Sequence, residues 1–90
     1  MTAEWFFYMV RCRDNSLYCG ITNDLAHRIG EHNKGTGAKY TSGRTPVTLV
    51  HMERHKNISE ARRREERVKR WSKSKKEQLA GMGFPRLRSE

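Results

Sequence analysis

Tyr8, Tyr18, Arg28, His32 and Glu65 are side chains of the types that hydrolyse phosphodiesters when a fold brings them together. An arginine neutralises the charge that grows on a phosphoryl group in the transition state. A carboxylate oxygen such as that of Glu65 suits one hard divalent ion, Mg²⁺ or Mn²⁺, which polarises the phosphoryl oxygen and steadies the leaving group. A base must also activate water. Tyrosine is a poor base at its ordinary pKa of about 10. Arg28 and a nearby metal are expected to lower that value, with His32 taking up the proton. Each residue also has a plainer reading. Arg28 and His32 could line the domain surface, and Glu65 could be half of a structural ion pair with an arginine.

Such residues need elements to carry them. "EWFFYMVRC" is apolar on both alternation sets and predicts a central strand covered on both faces. "RDNS" is a turn cluster and "LYCGIT" a second strand, giving an antiparallel hairpin. A helix follows to about Asn33, with Thr22 or Asn23 as N-cap and Asp24 in its first turn. Leu25 and Ile29 define its apolar side, with Arg28 and His32 beside them one turn apart. "KGTGAKYTSGRTP" reads as an ordered basic loop and "VTLVHMER" as a third strand. "NISEARRREERVKRW" reads as a second helix capped by Ser59, and "SKSKKEQLAGM" as a third capped by Ser72 or Ser74. On the second helix Ala61, Val68 and Trp71 mark the buried stripe, Glu65 lies on the inward side, and Arg63, Arg67 and Arg70 face outward. The order β-β-α-β-α-α predicts a small single α/β domain with a three-stranded, mainly antiparallel sheet flanked by helices. It covers residues 1–82, and residues 83–90 form a C-terminal tail.

The hairpin sets a geometric condition. A regular two- or four-residue turn centred on Asp14 and Asn15 would pair Tyr8 with Ile21 and Tyr18 with Arg11. The two phenols would then point to opposite faces. A shared site requires an odd-length loop or a bulge near residues 14–16 or 19–20, with both hydroxyls facing Arg28.

Composition narrows the partners. With 34% hydrophobic and 32% charged residues in 90, the core is thin and the surface polar. No apolar run approaches the ~20 residues of a membrane span, and "MTAEWFFYMV" lacks the basic start of a secretory signal. Cys12 and Cys19 read as buried free thiols in strands, which fits a cytoplasmic location. A net charge of +9 and a pI near 10.2 favour a polyanionic partner, DNA or RNA, over a membrane. Lys34, Lys39 and Arg44 in the loop, with Arg63, Arg67 and Arg70, are the candidate phosphate contacts. No motif points to an obligate protein partner. His27, His51 and His55 read as surface or strand residues.

The sequence resembles the GIY-YIG nuclease superfamily, over about Trp5 to Lys76. Its first triplet appears as "FFY", ending on Tyr8, and its second as "YCG", Tyr18 to Gly20. The family's arginine falls on Arg28, the histidine or tyrosine one turn later on His32, and the metal-binding glutamate on Glu65. The likeness is greatest to small single-domain bacterial members. "FFY" lacks the glycine and isoleucine of the family name, and Cys19 stands for the central isoleucine, at positions that mainly pack strands. The resemblance implies a metal-dependent endonuclease acting on DNA, in repair or in processing of structured DNA. The alternative is a nucleic-acid-binding module that keeps the fold but cuts little or not at all.

Overall fold

Phe7 and Met9 point to one side of the first strand and Tyr8 and Val10 to the other, and all four are buried. A strand with two apolar faces must sit inside its sheet. In the computed structural model, which describes residues 4–82, that strand is β1, Trp5–Arg11. It lies between β2, Leu17–Thr22, and β3, Thr48–His55, in the order β2-β1-β3, with both pairings antiparallel. The helices are α1, Leu25–Asn33; α2, Lys39–Ser42; α3, Ile58–Lys69; and α4, Lys73–Gly81. This is the expected α/β order with one addition, α2, a helical turn inside the segment read as a loop. Its backbone is closed by the Ser42 N–H donating to the Ala38 carbonyl at 3.1 Å. The tail expected at residues 83–90 lies outside the described residues.

Two caps differ from expectation. Asp24, not Thr22 or Asn23, caps α1, its Oδ1 accepting from the His27 N–H at 3.1 Å. The Thr22 hydroxyl instead accepts from the Asp24 N–H at 3.0 Å, fixing the turn into the helix. Asn57, not Ser59, caps α3 and accepts from the Glu60 N–H at 2.9 Å. Ser72 caps α4 as its sequence suggests. All three are short polar acceptors in extended backbone, which is what a first turn with unpaired N–H groups requires.

Two cores sandwich the sheet. On one face Tyr8, Val10, Cys12 and Val47 are buried, with Tyr18 and the α1 residues Leu25 and Ile29 packed against them. On the other, Phe7, Met9 and Cys19 pack on Val68 of α3 and Leu79 and Ala80 of α4. Arg11 moors α4 to the end of β1 through two hydrogen bonds to the Glu77 carboxylate, at 2.9 and 2.7 Å. Both cysteines are free and buried.

The hairpin meets its geometric condition through its loop. Arg11 pairs with Leu17, which leaves the odd-numbered loop of residues 12–16. The Cys12 N–H donates to the Ser16 carbonyl at 2.8 Å and the Asn15 N–H to the Cys12 carbonyl at 2.9 Å. Asn15 turns the chain at φ 73. In the resulting register Tyr8 faces Gly20 and Val10 faces Tyr18, so both phenols share the α1 face. The one register shift involving β1 lies at Met9/Val10 in the pairing with β3, not in the hairpin.

Asn15 therefore supplies a testable point. Asn15→Gly should leave urea stability unchanged or raise it by a few tenths of a kcal/mol. Asn15→Val should lower it by about 1–2 kcal/mol, because a β-branched residue resists the left-handed conformation.

Candidate functional site

The site begins with a contact between two strands. Tyr8 lies across Gly20, and a Cβ built at position 20 would come within 2.5 Å of the Tyr8 hydroxyl. Only glycine leaves that path open. The phenol is wholly buried and must find a hydrogen-bond partner there. It finds Nε2 of His32, at 2.8 Å. His32 projects from the last turn of α1 and is itself fully buried, with Nδ1 2.8 Å from the Thr41 hydroxyl. Gly37 makes room on the other side, since a Cβ there would lie 2.5 Å from His32 Nδ1.

The direction of the hydrogen bonds follows from their ends. The Thr41 hydroxyl donates to the Ala38 carbonyl at 3.1 Å, so its oxygen accepts from His32 Nδ1–H. Nε2 is then the bare nitrogen, and Tyr8 donates to it. Burial, and then the charge of Arg28, holds the His32 pKa below its ordinary value, against an opposing effect of Glu31. His32 is therefore a neutral imidazole whose free lone pair points at a phenol.

Arg28 lies close enough to the Tyr8 hydroxyl to pull its pKa down, and pairs with Glu31 at 3.1 Å. Its effect on Tyr8 is smaller than that of burial. Burial pushes the Tyr8 pKa up to about 12, although Arg28 pulls the other way. At Tyr8, Arg28 alone does not bring the lowering expected of Arg28 and a metal together: the hydroxyl is sealed from water, and desolvation of the anion outweighs one neighbouring cation. Tyr18 differs. It is only partly buried, stands edge-on to His32 with centroids 5.4 Å apart, and its hydroxyl forms no hydrogen bond to another described residue. Arg28 thus acts on the Tyr8 hydroxyl, and the Tyr18 hydroxyl is the one left unengaged.

Glu65 approaches from the opposite face of the sheet, on α3. Its carboxylate is close enough for its charge to raise the pKa of both Tyr8 and Cys19. It is 17% exposed and pairs at 3.2 Å with Lys69 on its own helix, not with a buried arginine. The pair with an arginine, the plainer alternative at Glu65, is found instead at Glu53. Glu53 of β3 receives Arg64 at 2.9 Å and His51 at 2.8 Å. Burial disfavours the Glu53 anion, but those two partners outweigh it and hold its pKa near about 2. Among the described residues no three of His, Cys, Asp and Glu gather around one metal position. A single hard carboxylate fits a divalent ion that draws its other ligands from water and a substrate phosphate.

The candidate phosphate contacts separate into two kinds. Arg63, Arg67 and Arg70 are exposed, form no ion pair among the described residues, and with Glu66 line a surface hollow of about 410 Å³. Lys34 and Lys39 are likewise exposed. Arg44 is held, with Nε 3.0 Å from Asp14 and its guanidinium 4.0 Å from the centre of the Tyr40 ring. Sequence reasoning missed Thr41, Gly37, Glu31 and Tyr40. The first two were hidden because their partner, His32, reaches them only through the folded loop. Glu31 was legible as an i+3 partner of Arg28.

A single domain of this topology, with a Tyr–Gly pairing across the hairpin and an Arg and His on the following helix, defines a class. The chain matches the model of the GIY-YIG catalytic domain over residues 4–78 and belongs to that family. The family's domain is an endonuclease fold, its substrate class is nucleic acid, and its members generally use a divalent metal ion. Within it, the chain is similar to the small single-domain UPF0213 proteins. It is 51% identical to the UPF0213 protein of Haloquadratum walsbyi over 92% of this chain and 93% of that one. It is 51% identical to that of Bacillus velezensis, over 86% and 78%. The solution NMR structure of the UPF0213 protein from Bacillus halodurans superposes with a TM-score of 0.57 at 43% identity, covering 88% of this chain and 84% of that one. Among the described residues no helix is long and apolar enough to cross a membrane.

Two measurements check this geometry. One tyrosine should ionise late, near pH 12, in a tyrosinate absorbance titration, and Tyr8→Phe should remove that late phase. The folded pKa lies above the unfolded value, so Tyr8's contribution to stability is whole below about pH 10 and is lost as the pH rises towards 12. Gly20→Ala should destabilise the fold by about 1–3 kcal/mol, because the end of a buried rigid ring blocks the new methyl. It should also shift or abolish the late titration.

Proposed function

We propose that this chain is a metal-dependent endonuclease that hydrolyses phosphodiester bonds in DNA. The observation that carries the reading is the buried chain Tyr8–His32–Thr41 with Arg28 on the same phenol. A fold that needed only packing would fill this face with apolar side chains. Here a neutral imidazole is instead kept in one tautomer beside a guanidinium. Arg28 binds the scissile phosphate and neutralises its growing charge, exchanging part of its contact with Glu31 for the substrate. Tyr18, partly exposed and with its hydroxyl unengaged, is the phenol that substrate and attacking water can reach. Tyr8 holds His32 in place and offers it a proton along a 2.8 Å hydrogen bond. His32 Nε2 carries the lone pair that can take a proton passed on by Tyr8, once the negative charge of a bound phosphate offsets the burial and the Arg28 charge that hold its pKa down. Glu65 would hold the divalent ion, Mg²⁺ or Mn²⁺, which when bound supplies charge stabilisation at the phosphoryl oxygen. Arg63, Arg67 and Arg70, with Lys34 and Lys39, bind flanking phosphates without reading sequence.

The test uses labelled single-stranded, duplex, flapped and branched DNA with Mg²⁺ or Mn²⁺, beside EDTA. Cleavage should require the ion. Glu65→Gln and Glu65→Ala should lower it by at least about a hundred-fold while DNA binding persists. Their stability should change by less than about 1 kcal/mol, since the partner left behind, Lys69, is 51% exposed and stays hydrated. Glu53→Gln is the contrast. It strips a partner from Arg64, which is only 24% exposed, and should lower stability by about 1–3 kcal/mol. Cleavage that survives both changes at Glu65 would remove it from the site.

A further inference from the structure

A row of π surfaces leads out of the candidate site. His32, fully buried, meets the edge of Tyr18 at 5.4 Å. The Tyr18 ring stacks on Tyr40, with centroids 5.9 Å apart and planes 17° from parallel. The guanidinium of Arg44 lies over the Tyr40 ring at 4.0 Å. The outer end of this row is held in place. Arg44 Nε donates to Asp14 at 3.0 Å and Nη1 to the Tyr40 carbonyl at 2.7 Å, so the planar group is oriented before any ligand arrives. The Asp14 carboxylate is itself tied to the Ser16 N–H at 3.1 Å. Yet the row is not buried. Tyr40 is 40% exposed in a polar, basic segment. A tyrosine placed there for stability alone would bury its ring, and a cation placed there for phosphate alone would not need a plane.

We propose that the Tyr40–Arg44 ledge stacks an unpaired nucleobase on the outward face of the Arg44 guanidinium, which Tyr40 backs, next to the scissile phosphate. The proposal rests on the nuclease reading and narrows its substrate. Bases inside a duplex present only their edges in the grooves, and their faces are covered by neighbouring bases. A face becomes available to tyrosine or to a guanidinium plane only where the strand is single or opened. The ledge joins the site through Tyr18, so the stacked base belongs to a nucleotide beside the phosphate held by Arg28. Stacking is tolerant of base identity, because every base has a π face. Strand state, and not sequence, is what this device reads.

The experiment measures binding in EDTA, where nothing is cut. The probes are a short oligothymidylate carrying one 2-aminopurine, the matching duplex, and an oligouridylate of the same length. For the wild type, single-strand binding should change the 2-aminopurine fluorescence as expected for a stacked base, and this readout needs no variant. Tyr40→Leu should weaken single-strand binding about ten-fold and leave duplex binding within two-fold. Tyr40→Phe should bind like the wild type, and a thermal melt checks the fold of both. Arg44→Lys keeps the charge but loses the plane, and should weaken single-strand binding at least as much as Tyr40→Leu does. Tyr40-dependent binding of either the deoxy or the ribo strand supports the ledge, and the tighter of the two names its source. Single-strand binding unchanged in Tyr40→Leu, or single strand and duplex weakened equally, overturns it. Failure here is separable from failure of the nuclease reading. Duplex cleavage that needs Glu65 but ignores Tyr40 sinks the ledge alone. Tyr40-dependent stacking without metal-dependent cleavage of any substrate sinks the nuclease alone.

Discussion

The hydroxyl of Tyr8 has to be satisfied inside the protein, and the α1 face is arranged around that need. The phenol is wholly buried, and leaving such a group without a partner costs about 1–3 kcal/mol. It reaches His32 only because Gly20 clears the way across β2. His32 has a second nitrogen to satisfy, which calls for Thr41 and hence for the helical turn α2. Thr41 passes its own proton to the Ala38 carbonyl, where the chain of partners ends. Among the described residues no buried side-chain polar atom is left without a partner. One buried hydroxyl thus ties together strand, helix and loop, and the same bonds hold the imidazole in a single orientation.

Charge is sorted with similar economy. The chain carries a net +9, but its arginines are not equivalent. Arg11 and Arg64 each engage a carboxylate that joins elements, Glu77 on α4 and Glu53 on β3, whereas the Arg28 pair with Glu31 stays within α1 and leaves Arg28 beside the site. The first two are part of the architecture. Arg63, Arg67 and Arg70 on the outer side of α3 have no such duty among the described residues. On a helix the spacing from Arg63 to Arg67 spans about 6 Å, from the rise of 1.5 Å per residue. That is a scale on which a polyanionic chain can be followed charge by charge.

Much of this was legible before the fold was known, and the misses share a cause. β2 and the two-sided character of β1 follow from short-range alternation, and the odd loop follows from requiring the two tyrosines on one face. The caps were misplaced by one or two residues because "TND" and "NIS" each offer several short polar side chains. Local sequence does not say which of them the incoming strand will leave in extended backbone. The outward arginines and the inward position of Glu65 come directly from helical spacing. What could not be read is tertiary. Thr41 and Gly37 matter only because the loop folds back on His32, and the ion pair sought at Glu65 formed at Glu53 because Arg64 points towards β3. The buried state of Tyr8, which raises its pKa against the pull of Arg28, depends on packing from several elements and leaves no local signature.

The closing of the 12–16 loop by Arg11 and Leu17 restricts how this hairpin can change over time. A residue added or removed that passed into the pairing, instead of being taken up between Arg11 and Leu17, would slide β2 by one position against β1. Gly20 would leave its place under Tyr8, and Tyr18 would turn to the face of α3 and α4. Two residues together preserve the facing of every side chain. Length variation in this hairpin is therefore compatible with the site when it stays between Arg11 and Leu17, and a single step that enters the strands needs a bulge to absorb it. A loop that looks like an unremarkable polar connector thereby guards a register, and it is the closing pair Arg11–Leu17, more than the number of residues it encloses, that insertions and deletions have to respect.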